Sequence, residues 1–264
     1  MQPASNRQLT LLRKLGQKKY RQKHRQFMVE GERAVEQVIR HGGVELLDLY
    51  MDFESELWKS TSWKAHCDNN PCFGIDRGDF REIADTDNPQ GVIARCRIPG
   101  ETPLERMAER SGVLLASDRI QDPGNLGTIM RTAVWFGVGG ILCGKGTVDL
   151  FHPKVVRSTA GSTGVLPYIN GELEELLPRL EQLGWEVLLM DAAPDATDLT
   201  EAGFGPKSVL VVGNEAAGIS KDLKKNHRKR IKIARIGGRE QVESLNASVA
   251  AAIAIYSLTG SNSG

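Results

Sequence analysis

The chain has 264 residues, of which 40% are hydrophobic, 25% charged and 6% aromatic. That composition excludes collagen-like, disulfide-scaffold and wholly disordered classes, and the length suits one large domain or two modest ones. The net charge of +1 excludes nothing by itself, because it is a sum over unevenly placed charges.

Residues 1–26 contain eight basic side chains (Arg7, Arg13, Lys14, Lys18, Lys19, Arg21, Lys23 and Arg25) with His24 and no acid. Residues 221–240 contain nine against Asp222 and Glu240. Two such segments point to surfaces that neutralise a polyanion, with phosphate the expected chemistry. A solvated helix face plus a loose tail is the plainer alternative. The N-terminal run has no apolar stretch of secretory type, and no run reaches the roughly 18 apolar residues that span a bilayer. No membrane partner is expected. Cys67, Cys72, Cys96 and Cys143 are too few for a disulfide framework and read as free thiols in a reducing cytosol, so the location expected is cytoplasmic.

Residues 27–99 read as a small mixed unit. Val29, Val35, Val38 and Ile39 fit one helix face that Gly42 and Gly43 end, and short strands follow near 46–51 and 91–98. The two prolines and the glycine of 98–103 mark a boundary. The expected division is therefore a domain over 1–99, a linker over 100–112 and a second domain over 113–264. In the second domain, apolar strands at 113–117, 139–144, 187–190, 208–213 and 230–234 alternate with helices, which predicts an α/β fold with a mainly parallel sheet and helices on both faces. Ligands of such sheets sit at the carboxyl ends of the strands, so chemistry is expected in loops 118–125, 144–147, 191–198, 213–220 and 235–246.

Three segments stand out there. In the first, DRIQDPGNLGTIMR (118–131), a strand runs into a Pro-Gly turn, Asn125 is suited to cap the next helix, and Arg131 lies about one and two-thirds turns further on. The second, GNEAAGIS (213–220), follows the strongest strand. Glycine there lets a ligand approach the backbone, and Glu215 is a possible partner for a cation or for Arg131. The third, ESLNASVA (243–250), opens a helix that is apolar nearly all round, and a helix without a polar stripe is buried on every side or packed in a subunit interface. Ser244, Asn246 and Ser248 are more polar groups than a cap requires. A capped helix with a surface arginine, a tight turn and a plain cap are the respective alternatives. His66, Cys67 and Cys72 lack a second ligand pair, so no metal is expected. A phosphate-binding P-loop, a dinucleotide fingerprint and a G-x-S-x-G elbow are all missing.

Taken together, NLGTIMRTA (125–133), GNEAAGIS (213–220) and ESLNASVAAAI (243–253) resemble the three motifs of the SpoU (TrmH) family of RNA 2′-O-ribose methyltransferases, in order and near the family spacing. The first 99 residues resemble the L30e-like substrate-binding domain found ahead of many such enzymes, through residues 19–21, 27–31 and 88–92. The resemblance implies a SPOUT fold with a trefoil knot, S-adenosyl-L-methionine as cofactor, and a homodimer. It implies an active-site set of Arg131, Asn125, Glu215, Ser244 and Asn246. Cofactor contacts would come from Gly213, Asn214, Gly218, Ile233, Ile236, Leu245 and Ser248, and RNA contacts from Arg13, Lys14, Lys18, Lys19, Arg21, Lys23 and Arg25. Ribosomal RNA, of the 23S type, is the expected substrate. The alternatives are a tRNA 2′-O-methyltransferase and a catalytically impaired RNA-binding or assembly protein. Two positions depart from the family pattern: Ala216 stands where glycine is usual, and residues 233–242 are more basic than the usual Ile-Pro-Met-x-Gly. Arg131 would act either as base or as a phosphate clamp, and a guanidinium, protonated up to about pH 12, suits the clamp.

Overall fold

The computed structural model describes residues 1–224, 228–235 and 244–260, which form two compact units. The first unit is Met1–Gly100 with Asp149–Val165; the second is Glu101–Val148 with Leu166–Gly264. Chain order alone assigns 149–165 to the second domain and 100–112 to a linker; the compact units group them differently. Among the described residues, no helix is long and apolar enough to cross a membrane.

The first unit opens with strand β1 (Gln2–Pro3), helix α1 (Asn6–Leu15) and helix α2 (Lys18–His24). Ser5 and Gln8 form a capping box, so the backbone donors at the start of α1 are satisfied locally. Leu9, Leu12 and Leu15 are then buried along one face. Each contributes roughly 1.5–3 kcal/mol by leaving water, which holds the basic N-terminal segment in place as folded structure instead of a loose tail. Strand β2 (Gln26–Glu30) follows, so Val29 lies on a strand and not on the helix face expected for it. Gly31, at φ +98°, breaks the chain into helix α3 (Glu32–His41), and Gly42, at φ +60°, ends it where the sequence placed its end. Strand β3 (Leu46–Asp52), helix α4 (Thr61–Asn69), strand β4 (Cys72–Ile75), helix α5 (Arg77–Ile83) and strand β5 (Val92–Arg97) complete a mixed sheet in the order β1-β4-β3-β5-β2. Cys67 and Cys72 form a disulfide, against the expectation of four free thiols; Cys96 and Cys143 are free and buried.

Arg21 corrects the sequence reading most clearly. It is 1% exposed. Its guanidinium donates to Asp149 at 2.6 and 2.9 Å and to the carbonyls of Leu15 and Gly16 at 2.9 and 2.8 Å. A buried cation must find such partners, so Arg21 ties α1 and α2 to residue 149 and is not part of an RNA surface. Arg13 is held by Asp79 and Glu82 at 2.6 and 2.7 Å. Lys14, Lys18, Lys19, Lys23 and Arg25 remain exposed.

The second unit begins at helix α6 (Leu104–Ala108), whose Leu104, Met107 and Ala108 enter the core. It continues through strand β6 (Gly112–Asp118), helix α7 (Pro123–Trp135) and strand β7 (Ile141–Gly144). After helix α8 (Pro153–Ser158), which packs with the first unit, come strand β8 (Tyr168–Gly171), helix α9 (Leu173–Gln182) and strand β9 (Glu186–Met190). Strands β10 (Thr197–Asp198), β11 (Lys207–Gly213) and β12 (Lys229–Lys232) and helix α10 (Ala247–Gly260) close the chain. All seven strands are parallel, in the order β10-β12-β9-β11-β6-β7-β8. Leu173, Leu176, Leu177 and Leu180 of α9 and the alternate residues Val209 and Val211 of β11 share one core. Strand β11 pairs with β6 along its whole length, from Lys207 opposite Gly112 to Gly213 opposite Asp118. That register sets the loops after β6 and β11 side by side. Helix α10 packs on α7, β6 and β11.

Replacing Arg21 by Ala strands a largely buried Asp149 carboxylate and two carbonyls. The substitution should cost about 3–5 kcal/mol in urea denaturation, and a loss below about 1 kcal/mol would refute the structural role.

Candidate active site

Asp122 caps α7 in the place the sequence suggested for Asn125: its carboxylate accepts from the Asn125 N–H at 2.7 Å. Asn125 stands one turn in, and its side chain is free for another task. Its Nδ2 donates to Glu215 Oε1 at 3.0 Å, and its Oδ1 accepts from Asn246 Nδ2 at 3.0 Å. Asn246 Oδ1 in turn receives the backbone N–H of Ser248 at 2.9 Å and its hydroxyl at 2.6 Å, which caps α10. One chain of hydrogen bonds thus joins the three motif segments.

Glu215 is held from several directions. Besides Asn125, the N–H groups of Gln121 and Asp122 donate to it at 3.4 and 3.3 Å, and Asn214 Nδ2 reaches it at 3.5 Å. Burial raises the carboxyl pKa, but the hydrogen bonds from Asn125 and the backbone outweigh it and hold Glu215 below the usual glutamate range. It stays ionised and is a weak proton acceptor.

The loop after β11 closes on itself. Asn214 and Gly218 exchange backbone hydrogen bonds at 3.1 and 2.9 Å, and Asn214 Oδ1 accepts from Ala216 and Ala217 at 3.0 and 2.9 Å. Gly218 turns at φ +64°, and a Cβ on Gly213 would lie 2.5 Å from the Gly218 carbonyl carbon. Residues 215–217 are left exposed, with their backbone within reach of a ligand. Ala216 leaves this closure intact.

Sequence reading overlooked Asp118. It is buried at the end of β6 and accepts from the Ser220 N–H at 2.6 Å and hydroxyl at 2.7 and 2.8 Å, pinning the far side of the same loop. An acid at a strand terminus, facing a serine at the end of a glycine-rich turn, was the available signal. Conversely, Arg131 is not joined to Glu215. It lies roughly 9 Å along α7 and about 120° around its axis from Asn125, exposed and without a partner among the described residues. Ser244 and Leu245 are exposed and Ile233 is half-buried, none of them in the network. Ile236 and Glu243 lie outside the described residues.

The chain is similar to known proteins over both of its units. Residues 112–256 match the model of the SpoU rRNA Methylase family, and residues 6–94 match the MRM3-like substrate binding domain. The chain is 32% identical over 263 residues to the 23S rRNA (guanosine(2553)-2′-O)-methyltransferase RlmP of Bacillus subtilis (strain 168), covering 98% of this chain and 99% of that one. It superposes with a TM-score of 0.85 and 25% identity on the SpoU methyltransferase AviRb of Streptomyces viridochromogenes in complex with AdoMet, covering 99% and 100% of the two chains. An AdoMet-bound rRNA methyltransferase from Sinorhizobium meliloti gives 0.83 and 26%, covering 99% and 97%.

The position of Glu215 predicts an acid-dependent stability. Its folded pKa lies below the ordinary glutamate value of about 4.3, so its contribution is complete above that pH and is lost as pH falls through the folded value. Between about pH 6 and pH 3.5, urea-denaturation stability should fall less in Glu215→Gln than in the wild type. An equal fall in both proteins would show that the carboxylate is not held in this way.

Proposed function

We propose, since the chain belongs to the SpoU rRNA methylase family, that it transfers a methyl group from S-adenosyl-L-methionine to a ribose 2′-hydroxyl of RNA, with 23S-type ribosomal RNA as substrate in the cytoplasm. The observation that carries this reading is the hydrogen-bond chain Glu215–Asn125–Asn246, which draws the three motif segments together at the carboxyl end of a parallel sheet. The RNA substrate and its ribosomal class are supported by the substrate-binding domain and by the Bacillus relative.

The residues present fit that cofactor. The self-closed loop 213–218 presents exposed backbone from 215 to 217. Gly213, Asn214 and Gly218 would hold it, with Ile233, Leu245 and Ser248 contributing. When bound, the cofactor would supply a sulfonium methyl; the ribose 2′-hydroxyl that receives it must also give up its proton, to water since Glu215 is a weak acceptor, and S-adenosylhomocysteine is the leaving group.

The chain's own residues then have distinct tasks. Asn125 and Asn246 orient the loops, and Glu215 is a positioning anchor, since its carboxylate is already occupied by donors. Arg131, exposed and without a partner among the described residues, would clamp an RNA phosphate and so align the 2′-hydroxyl. Ser244 sits at the mouth of the third segment as a hydroxyl for substrate contact.

The same reading carries a trefoil knot and a homodimer. Val249, Ile253 and Tyr256 recur at i, i+4 and i+7 on the outer face of α10, and all three are exposed. Trp135 on neighbouring α7 is 83% exposed. An apolar stripe of this kind on two packed helices fits a second copy of the chain.

Tritium transfer from labelled S-adenosyl-L-methionine to 23S rRNA tests the activity. Arg131→Ala should lower it by ~100-fold or more while the cofactor Kd stays within about threefold; wild-type turnover by that variant, or transfer to tRNA alone, overturns the assignment concerned. Light scattering should find a dimer for the wild type and a monomer for Ile253→Arg, and a dimer in both would remove α10 from the interface.

A further inference from the structure

In the first unit, α1 does not cover its sheet completely. Leu9 and Leu12 close over Tyr50 and Ile93. Beside them, a cavity of about 710 Å³ opens between α1, the α2–β2 corner and β5. Clefts that hold small ligands occupy roughly 300–1,000 Å³. Arg7, Gln8, Lys14, His24, Gln26 and Arg95 line it, and no carboxylate does among the described residues.

The polar groups here have a definite orientation. Arg95 donates Nε to Asp48 Oδ1 at 2.8 Å, a second nitrogen to Asp48 Oδ2, and Nη1 to Gln26 Oε1 at 3.0 Å. A guanidinium can only donate, so the Gln26 carbonyl is committed to it and the Gln26 NH2 is the free end. Gln8 is oriented by the same logic. Its Oε1 accepts the Ser5 N–H at 2.9 Å in the capping box, and its NH2 is left over. The two amides and the cations Arg7 and Lys14 therefore offer donors. The Tyr50 hydroxyl, fully buried beside Asp48, Arg95 and Gln8, makes no hydrogen bond of good geometry to any of them. Such an orphan is uncommon in a protein interior.

A stacking surface adjoins the cavity. The rings of His24 and Tyr20 stack at 6.5 Å with an interplanar angle of 20°, and the ammonium groups of Lys14 and Lys19 lie 5.5 and 4.9 Å from the Tyr20 centroid.

We propose that this cavity, formed by the N-terminal unit alone, is a recognition pocket for one unpaired RNA nucleotide carrying a keto base, guanine or uracil. The proposal rests on RNA being the substrate. Lys14 and Arg7 would take the phosphate, the His24–Tyr20 pair would stack on the base, and the Gln8 and Gln26 amides would donate to its oxygens. Guanine presents two adjacent acceptors on one edge and uracil two carbonyls, whereas adenine and cytosine bring exocyclic amines that face donors with donors. Unpaired nucleotides expose these edges; a duplex does not.

Titration of the full-length protein with GMP, UMP, AMP, CMP and inorganic phosphate, followed by NMR, tests the pocket. GMP or UMP should bind at least ~5-fold tighter than AMP and CMP, and inorganic phosphate should bind weaker than any nucleotide that fits. Gln26→Leu should abolish the base preference, and Gln26→Glu, which keeps the partnership with Arg95 but replaces the donor by an acceptor, should shift it towards AMP or CMP. Equal binding of all four nucleotides, or a preference unchanged in both variants, overturns the proposal. A protein that methylates 23S rRNA yet shows no base preference loses only the pocket, and one with the preference but no methyl transfer loses only the catalytic reading.

Discussion

The second unit depends on a problem common to all parallel sheets: at the carboxyl ends of the strands, several loops meet whose polar groups have lost their sheet partners. Here one side-chain chain solves it. Glu215 takes donors from the backbone at Gln121 and Asp122 and from Asn125, and Asn125 passes the contact to Asn246, which caps α10. Three segments separated by about ninety and thirty residues in the chain are brought into one rigid cluster. Each link uses a group that has both a donor and an acceptor, except the carboxylate at its end. The direction of the whole chain is therefore set by Glu215 being ionised.

That electrostatic setting narrows the chemistry open to the site. A carboxylate already accepting several hydrogen bonds has little affinity left for a proton, so its value is geometric. Asp118 does the same on the other side of the β11 loop through Ser220. Two acids, Glu215 within the turn and Asp118 against Ser220 at its last position, thus fix the turn from both sides. In the proposed reaction, proximity and alignment then do most of the work, and the exposed cation of Arg131 is left for the substrate.

The first unit sorts its cations by a different constraint. Arg21 is drawn inward, where a desolvated guanidinium needs partners, Arg13 pairs with Asp79 and Glu82 nearer the surface, and Lys14, Lys18 and Lys19 stay exposed. A run that looks uniform in sequence thus divides into positions paired within the fold and positions left on the surface.

Much of this was legible in the residues. Alternation of apolar strands with amphipathic helices specified the parallel sheet, since burial on both faces demands continuous apolar runs; β6, β9 and β11 lie within a residue or so of where that pattern put them. Short elements such as β8 and β10 escaped it, because four and two residues carry too little periodicity. The site residues Asn125, Glu215 and Asn246 were visible as polar groups in glycine-rich turns, but their mutual contact was not, and Asp122 and Asp118 were passed over because capping and pinning depend on backbone direction. The sequence by itself determined the strands, the helix stripes and the three motif segments, all of which follow from local spacing. Only the tertiary structure decided which cations are buried, that 149–165 pack with the N-terminal unit, and that Asn125 links Glu215 to Asn246. Those outcomes are set by partners distant in the chain, and no local pattern encodes them.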